Sequence, residues 1–234
     1  MKSYKIHLIR HGLSQGNLLG QYIGITDSPL AEQGKEQLKA LAEQYSYPQA
    51  QAYYSSPLAR CVQSLAVLYP QAKPTVIADF RECSFGKWEG KTAEDLKHDL
   101  EFVKWVESGS STMPPGGERG AHFMQRVCAA FETLVQNMLK TGERSAVLML
   151  HGGVMMSILS AYGLPRAPFY DWLTDPGYGY SLRITPGLWM RSMVAEVYDT
   201  IPARHDRRER EYTVADLARE AADRAFGGMR NGDV

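Results

Sequence analysis

Tyr4-Lys5-Ile6-His7-Leu8-Ile9-Arg10-His11-Gly12 decides how the rest of the chain reads. Ile6, Leu8 and Ile9 make a short β-rich run of the kind a buried strand carries. The run ends on a cation, an imidazole and a flexible residue. Those residue types are poor core material, but in open α/β sheets ligands bind at the carboxyl ends of strands. A second stretch repeats the pattern: Val147-Leu148-Met149-Leu150 is apolar and runs into His151-Gly152-Gly153. Two strand–His–Gly junctions in one chain need a common explanation.

Outward from these junctions the chain alternates between the two periodicities. Strands are expected at 4–10, 52–54, 75–78 and 146–150, with two late ones at 180–185 and 189–197 joined by Pro186-Gly187. Helices are expected at 31–45 and 57–69, the latter with Ser56 as N-cap and Pro57 in the first helical position. Thr92 caps a short helix to about 98, a second follows to about 107, and longer helices span 118–140 and 152–162. The segment 13–25 reads as a polar, glycine-spaced loop. Alternating β and α units predict an α/β fold: a three-layer α/β/α sandwich around a mostly parallel sheet. After Ile201 the character changes. A mixed charge run at 204–211 precedes a stretch, 214–226, that can form one helix with Leu217, Ala221 and Phe226 on a modest apolar stripe. The expected division is therefore a domain over 1–203 and a charged helical tail over 204–234.

Lysine plus arginine and aspartate plus glutamate balance at 26 each, which argues against bulk nucleic-acid or membrane-surface binding. Cys61, Cys83 and Cys128 are an odd, widely spaced set with no C-x-x-C. Free thiols in a reducing cytoplasm fit that set better than a disulfide framework or a zinc site. No stretch approaches the roughly 20 apolar residues of a membrane span. The chain runs from one lysine straight into a strand, so no secretory leader is read. No metal and no cofactor are expected.

Taken singly, each polar residue at a strand end has an ordinary explanation. His11 can be a satisfied core histidine, Arg60 a solvated arginine, Glu82 a surface carboxylate, and Gly152-Gly153 a tight strand–helix contact. Together they read differently. Arg10, His11, Asn17, Arg60, Glu82 and His151 all fall just after predicted strand ends. Arginine forks match phosphate oxygens. The helix that opens at Gly152 presents orphan N–H groups to an anion. A histidine can attack phosphorus, and a carboxylic acid can protonate the leaving oxygen. The set describes a pocket for a phosphoryl group.

At this point the chain resembles the histidine phosphatase superfamily, the phosphoglycerate-mutase-like group. Leu8-Ile9-Arg10-His11-Gly12 is similar to that family's opening signature, with Asn17 downstream. Further matching segments are Gly24-Ile25-Thr26-Asp27-Ser28-Pro29-Leu30 and Ser55-Ser56-Pro57-Leu58-Ala59-Arg60-Cys61. So are the loop from Phe80-Arg81-Glu82 to Trp88-Glu89-Gly90, Pro115-Gly116-Gly117-Glu118, and His151-Gly152-Gly153. The resemblance runs from about residue 5 to 197 in the right order. It implies His11 as the phosphorus nucleophile, Glu82 as general acid and then base, and His151 beside them. It also implies Arg10, Asn17, Arg60 and Gly152 as the phosphate-binding set. Three positions depart from the pattern. Leu13 and Ser14 stand where Glu or Gln and then Thr are usual, and Leu150 precedes the late histidine where Ser or Thr is frequent.

The resemblance leaves a choice of activity. Its mutases carry a sizeable insertion after the acid-bearing loop, whereas about 34 residues separate Glu82 from Gly116 here. A phosphomonoesterase acting on a small phosphorylated metabolite is therefore preferred. A cofactor-dependent phosphoglycerate mutase and a phospho-ligand-binding protein without turnover are the other readings. Phe102, Trp105, Phe169, Tyr170, Trp172, Tyr178 and Tyr180 are candidates for the pocket wall, some of them necessarily core. They suggest an apolar or ring-bearing leaving group. A homodimer is one of the uses open to the tail.

Overall fold

The computed structural model describes residues 3–108 and 112–204. Nine strands and eight α-helices are described, beginning with β1 (Tyr4–Arg10), α1 (Gln15–Leu18), α2 (Glu32–Gln44) and β2 (Tyr45–Ser46). The chain continues through β3 (Ala52–Ser55), α3 (Ala59–Leu68), β4 (Thr75–Val76), α4 (Ala93–Leu96), α5 (Leu100–Glu107) and α6 (Gly120–Thr141). It closes with β5 (Ser145–Leu150), α7 (Gly152–Tyr162), β6 (Gly163–Leu164), β7 (Gly179–Ile184), α8 (Pro186–Ser192), β8 (Ala195–Ile201) and β9 (Ala203–Arg204). The seven-stranded sheet has the order β4-β3-β5-β1-β7-β8-β6. Four of its pairings are parallel, and β7 alone runs against both neighbours.

The sequence alternation in β1 and β5 explains the layers. Ile6, Leu8, Ala146, Leu148 and Leu150 face one side, where α6 and α7 cover them with residues such as Val127, Phe131, Val154 and Ile158. Ile9, Val147 and Met149 face the other, against Cys61 and Leu65 of α3. Near-continuous burial of both strands is what a central parallel pair requires. The expected three-layer α/β/α sandwich is the observed architecture.

Topology places the site. β1 and β5 are adjacent and parallel, with Arg10 paired to Leu150 and Ser55 of β3 to Met149. Their carboxyl ends therefore meet at one edge. The chain leaves β1 toward the α2–α3 face and leaves β5 toward the α6–α7 face. That divergence is the topological switch point of an open α/β sheet.

Some boundaries differ from expectation for local reasons. Residues 189–197 are not one strand: α8 occupies Pro186–Ser192, then Met193 takes a left-handed conformation (φ 49°) before β8. Pro186 presets the first helical φ. The helical turn seats Trp189 against Phe131 and Tyr162, with ring centroids 5.9 and 5.3 Å away. The third expected strand stops at Val76, and a 3₁₀ turn at Ala78–Phe80 buries Phe80. α3 begins at Ala59 rather than Pro57, its first amide capped by the Asp27 carboxylate at 2.7 Å. α6 begins at Gly120, two residues later than expected, and ends on Gly142 in the left-handed region. The expected helix at 214–226 lies outside the described residues.

Candidate active site

β1 delivers His11 to the switch point. Its amide extends the ladder to the Leu150 carbonyl at 2.9 Å, which fixes the backbone. Its Nδ1–H donates to the Gly12 carbonyl at 2.7 Å. A carbonyl only accepts, so Nδ1 carries the proton and Nε2 keeps its lone pair. Burial, reinforced by the Arg60 and Arg10 charges, pulls the imidazole pKa down to about 3 despite the Gly12 bond. His11 is thus a neutral base with a free Nε2.

β5 delivers His151, which is fully buried and caps α7. Its ring centroid is 5.2 Å from that of His11. Arg60 Nε donates to its Nδ1 at 3.2 Å, so Nε2 bears the proton and donates to Ser56 Oγ at 2.7 Å. Burial first, then His11, Arg60 and Arg10, holds His151 well below its ordinary pKa. Ser56, expected as a helix cap, is instead the group that orients this ring.

The two arginines are anchored differently. Arg60, on the first turn of α3, is buried and donates to the Thr26 and Gly24 carbonyls at 3.0 and 2.7 Å. With the bond to His151, three of its five N–H groups are used. Arg10 donates Nη1–H to the Thr174 carbonyl, while its buried Nε has no partner. A Cβ on Gly152 would stand 3.6 Å from that Nε, so glycine keeps the approach to it open. An unsatisfied buried guanidinium N–H is costly, and an anion in the pocket would satisfy it.

Glu82 closes the site from the loop after β4. Its carboxylate accepts from Cys83 N and Gly153 N, both at 2.9 Å, and so sits on the N-terminus of α7. Burial raises its pKa and outweighs the two amide bonds and the nearby arginines. Glycine at 153 leaves room for this carboxylate, since a Cβ would come within 2.4 Å of Glu82 Oε1 and push it aside. Asn17 also lines the pocket. Its Oδ1 accepts from the Ser14 amide and hydroxyl in a capping box, which turns Nδ2 into the donor left for a ligand. All seven residues singled out from sequence converge on one cavity of about 390 Å³, six along its lining and His151 against its floor.

Residues 6–196 match the family model for the histidine phosphatase superfamily, branch 1. The chain belongs to the histidine phosphatase superfamily. It is 35% identical to phosphoserine phosphatase 1 of Hydrogenobacter thermophilus over 127 residues, 53% of this chain but only 60% of that enzyme. It is 27% identical to glucosyl-3-phosphoglycerate phosphatase of Mycobacterium tuberculosis over 188 residues, 76% of this chain and 83% of that one. The crystal structure of the alpha-ribazole phosphatase from Shigella flexneri shares the fold, with TM-score 0.71 and 23% identity over 88% of this chain and 100% of that one.

The geometry of this histidine phosphatase also depends on residues that sequence reasoning passed over. Glu89 accepts from the amides of Gly24, Ile25, Thr26 and Phe85 at 2.8–3.2 Å. It holds the loop whose carbonyls hold Arg60. Arg126, on α6, donates to the carbonyls of Asp79, Arg81 and Glu82 at 2.7, 2.8 and 3.1 Å and pairs with Glu118. It holds the loop that carries Glu82. An arginine beside the inward Val127 was the available signal. Of the family departures, Leu13 does not line the cavity; its carbonyl accepts from Ala31 N. Leu150 is core, and Ser56 supplies the hydroxyl that His151 meets. Trp105, Phe169 and Tyr170 line the cavity as expected, whereas Phe102, Trp172 and Tyr180 are core and Tyr178 is off the wall. Among the described residues no group of three His, Cys, Asp or Glu is placed to hold a metal, and no helix is long and apolar enough to cross a membrane.

Proposed function

We propose that this phosphatase hydrolyses the phosphomonoester of a small metabolite through a phosphohistidine on His11, with its own cationic side chains and no metal supplying the charge. The observation that carries the reading is the bond from His11 Nδ1–H to the Gly12 carbonyl, which commits Nε2 to attack. The phosphoryl oxygens meet Arg10 Nε, the remaining N–H groups of Arg60, the Gly152 amide and Asn17 Nδ2. His11 Nε2 forms the P–N bond as the P–O bond to the alcohol breaks. Protonated Glu82 delivers its proton to the departing oxygen. The resulting carboxylate takes a proton from water, whose oxygen attacks phosphorus, and P–N cleavage returns neutral His11 and inorganic phosphate. His151 acts beside the phosphoryl group, where a dianion would offset the cationic repulsion that adds to burial in lowering its pKa.

Hydrolysis rather than return of the phosphoryl group suits a cavity whose rim residues Thr112, Tyr170 and Leu173 are exposed, because water reaches the phosphoenzyme. Three unpaired cysteines, with Cys61 sealed in the core, support a cytoplasmic setting. The homodimer reading rests on the tail, beyond the described residues. The test is rapid quench with an aryl phosphate and excess chelator, wild type against His11→Ala. An acid-labile, base-stable phosphoenzyme in the wild type alone supports the mechanism. Equal background rates with no phosphoenzyme would leave a binding protein.

A further inference from the structure

The part of the cavity that receives the alcohol is built unlike the part that receives the phosphoryl group. One wall consists of Tyr22, Phe85 and Trp105, packed edge to face with centroids 5.5, 5.9 and 6.1 Å apart. Trp105 is backed by the buried Phe102, a near-parallel neighbour at 6.0 Å, so the wall is stiff. A second wall comes from the segment after α7: Phe169, Tyr170 and Leu173. Gln21 and Thr112, both neutral, also line the cavity. Among the described residues the lining cations are Arg10 and Arg60, and both stand at the phosphoryl end. Arg126 is not available to a ligand, being spent on three carbonyls and the Glu118 carboxylate. Glu118, itself on the lining, is the partner of Arg126, and the pair leaves no free cation there.

We infer that the substrate is the phosphomonoester of an uncharged, ring-bearing or apolar alcohol, and that the site discriminates against leaving groups carrying a carboxylate. This rests on the phosphatase reading above and adds the substrate class. A carboxylate on the alcohol would lose its water between aromatic walls with no free cation among the described lining residues beyond the phosphoryl end to meet it, a penalty the apolar alcohol avoids. The class differs from what the name of the phosphoserine phosphatase relative would suggest for this chain. Aromatic faces give area and orientation to a ring, and Gln21 and Thr112 offer hydrogen bonds to a hydroxyl or ring heteroatom.

The experiment compares benzyl phosphate, glycerol phosphate and O-phosphoserine, all esters of poorly acidic alcohols, so that leaving-group reactivity does not decide the order. The expected kcat/KM for benzyl phosphate exceeds that for O-phosphoserine by at least about tenfold. Trp105→Ala, and Tyr170→Ala at a 55% exposed position that folding tolerates, should each lower the benzyl-to-glycerol ratio several-fold. Gln21→Lys should raise O-phosphoserine relative to benzyl phosphate. O-phosphoserine turned over as fast as benzyl phosphate, with ratios unmoved by the variants, overturns the substrate class and leaves the phosphatase reading intact. Failure of every ester to form a phosphoenzyme overturns the phosphatase reading instead. Calorimetry with phenethylphosphonate and the phosphonate analogue of phosphoserine then decides the walls alone: tighter binding of the former by about tenfold supports them, and equal binding overturns them.

Discussion

Glu82 and His11 are two titratable groups that one cavity drives apart. Burial raises the carboxyl and lowers the imidazole, which favours the protonated acid and the neutral nucleophile that the proposed step uses. The sign of the pH dependence follows. His11 stays neutral down to about pH 3, and contributes no acid limb near neutrality. Glu82 loses its proton as pH rises through its raised pKa, so kcat for an alkyl phosphate should fall on the alkaline side. Glu82→Gln should remove that limb and lower kcat by about 10²–10⁴-fold, with a smaller loss on an aryl ester that needs no proton. A pH–rate profile of both proteins on both esters checks it. Gly153→Ala makes a related test: its Cβ would displace the Glu82 carboxylate, so kcat should fall at least about tenfold with melting temperature little changed. An active Gly153→Ala protein would mean that Glu82 is not the acid.

At the scale of elements, the site is made of strand ends held by loops. β1, β3 and β5 bring Arg10, Ser56 and His151 to one edge because parallel register aligns their ends. The loops are less constrained, and single side chains pin them. Glu89 takes four amides from two loops. Glu89→Ala should free the 24–26 loop, release the carbonyls that hold Arg60, and weaken inorganic phosphate binding by about tenfold. Calorimetric titration with phosphate measures it, and unchanged affinity would show that Arg60 needs no such support. The strand–helix alternation of these elements was legible in the sequence. Their ends were not always so. α8 was hidden because Trp189 and its apolar neighbours satisfy a strand pattern as well as a buried helical turn, and only the Phe131 and Tyr162 rings across the core decide between them.

At the scale of the whole molecule, three buried histidines, His7, His11 and His151, are held toward the neutral state. His7 is pulled down to about 4 by burial, His11 to about 3, and His151 well below its ordinary value. In the unfolded chain each takes a proton near pH 6.5. Folded pKa values below unfolded ones mean that their full contribution to stability is present above about pH 6.5 and is lost as pH falls toward the folded values. Each adds up to about 1.4 kcal/mol per pH unit in that window. Urea midpoints should therefore drop steeply between pH 7 and pH 5. His7→Asn should flatten the slope without touching catalysis, since His7 bonds Ser181 away from the cavity. A pH-independent midpoint would mean that the three rings find protons in the folded state.

The sequence by itself marked the residues that the proposed mechanism uses. Arg10, His11, Arg60, Glu82 and His151 stand after strand ends, and a parallel sheet can only gather such residues at one edge. The charge balance, the helix faces and the apolar runs of β1 and β5 were equally readable, because periodicity is a local property. The tertiary structure decided the rest. It turned Ser56 from an expected cap into the partner of His151, set Glu82 on the Gly153 amide in the first turn of α7, and sorted Phe102 into the core and Trp105 onto the wall. Those outcomes depend on which groups meet across more than 60 residues of chain, as Arg60 meets His151 with a separation of 91. No local pattern encodes a hydrogen bond whose two ends are brought together only by the sheet.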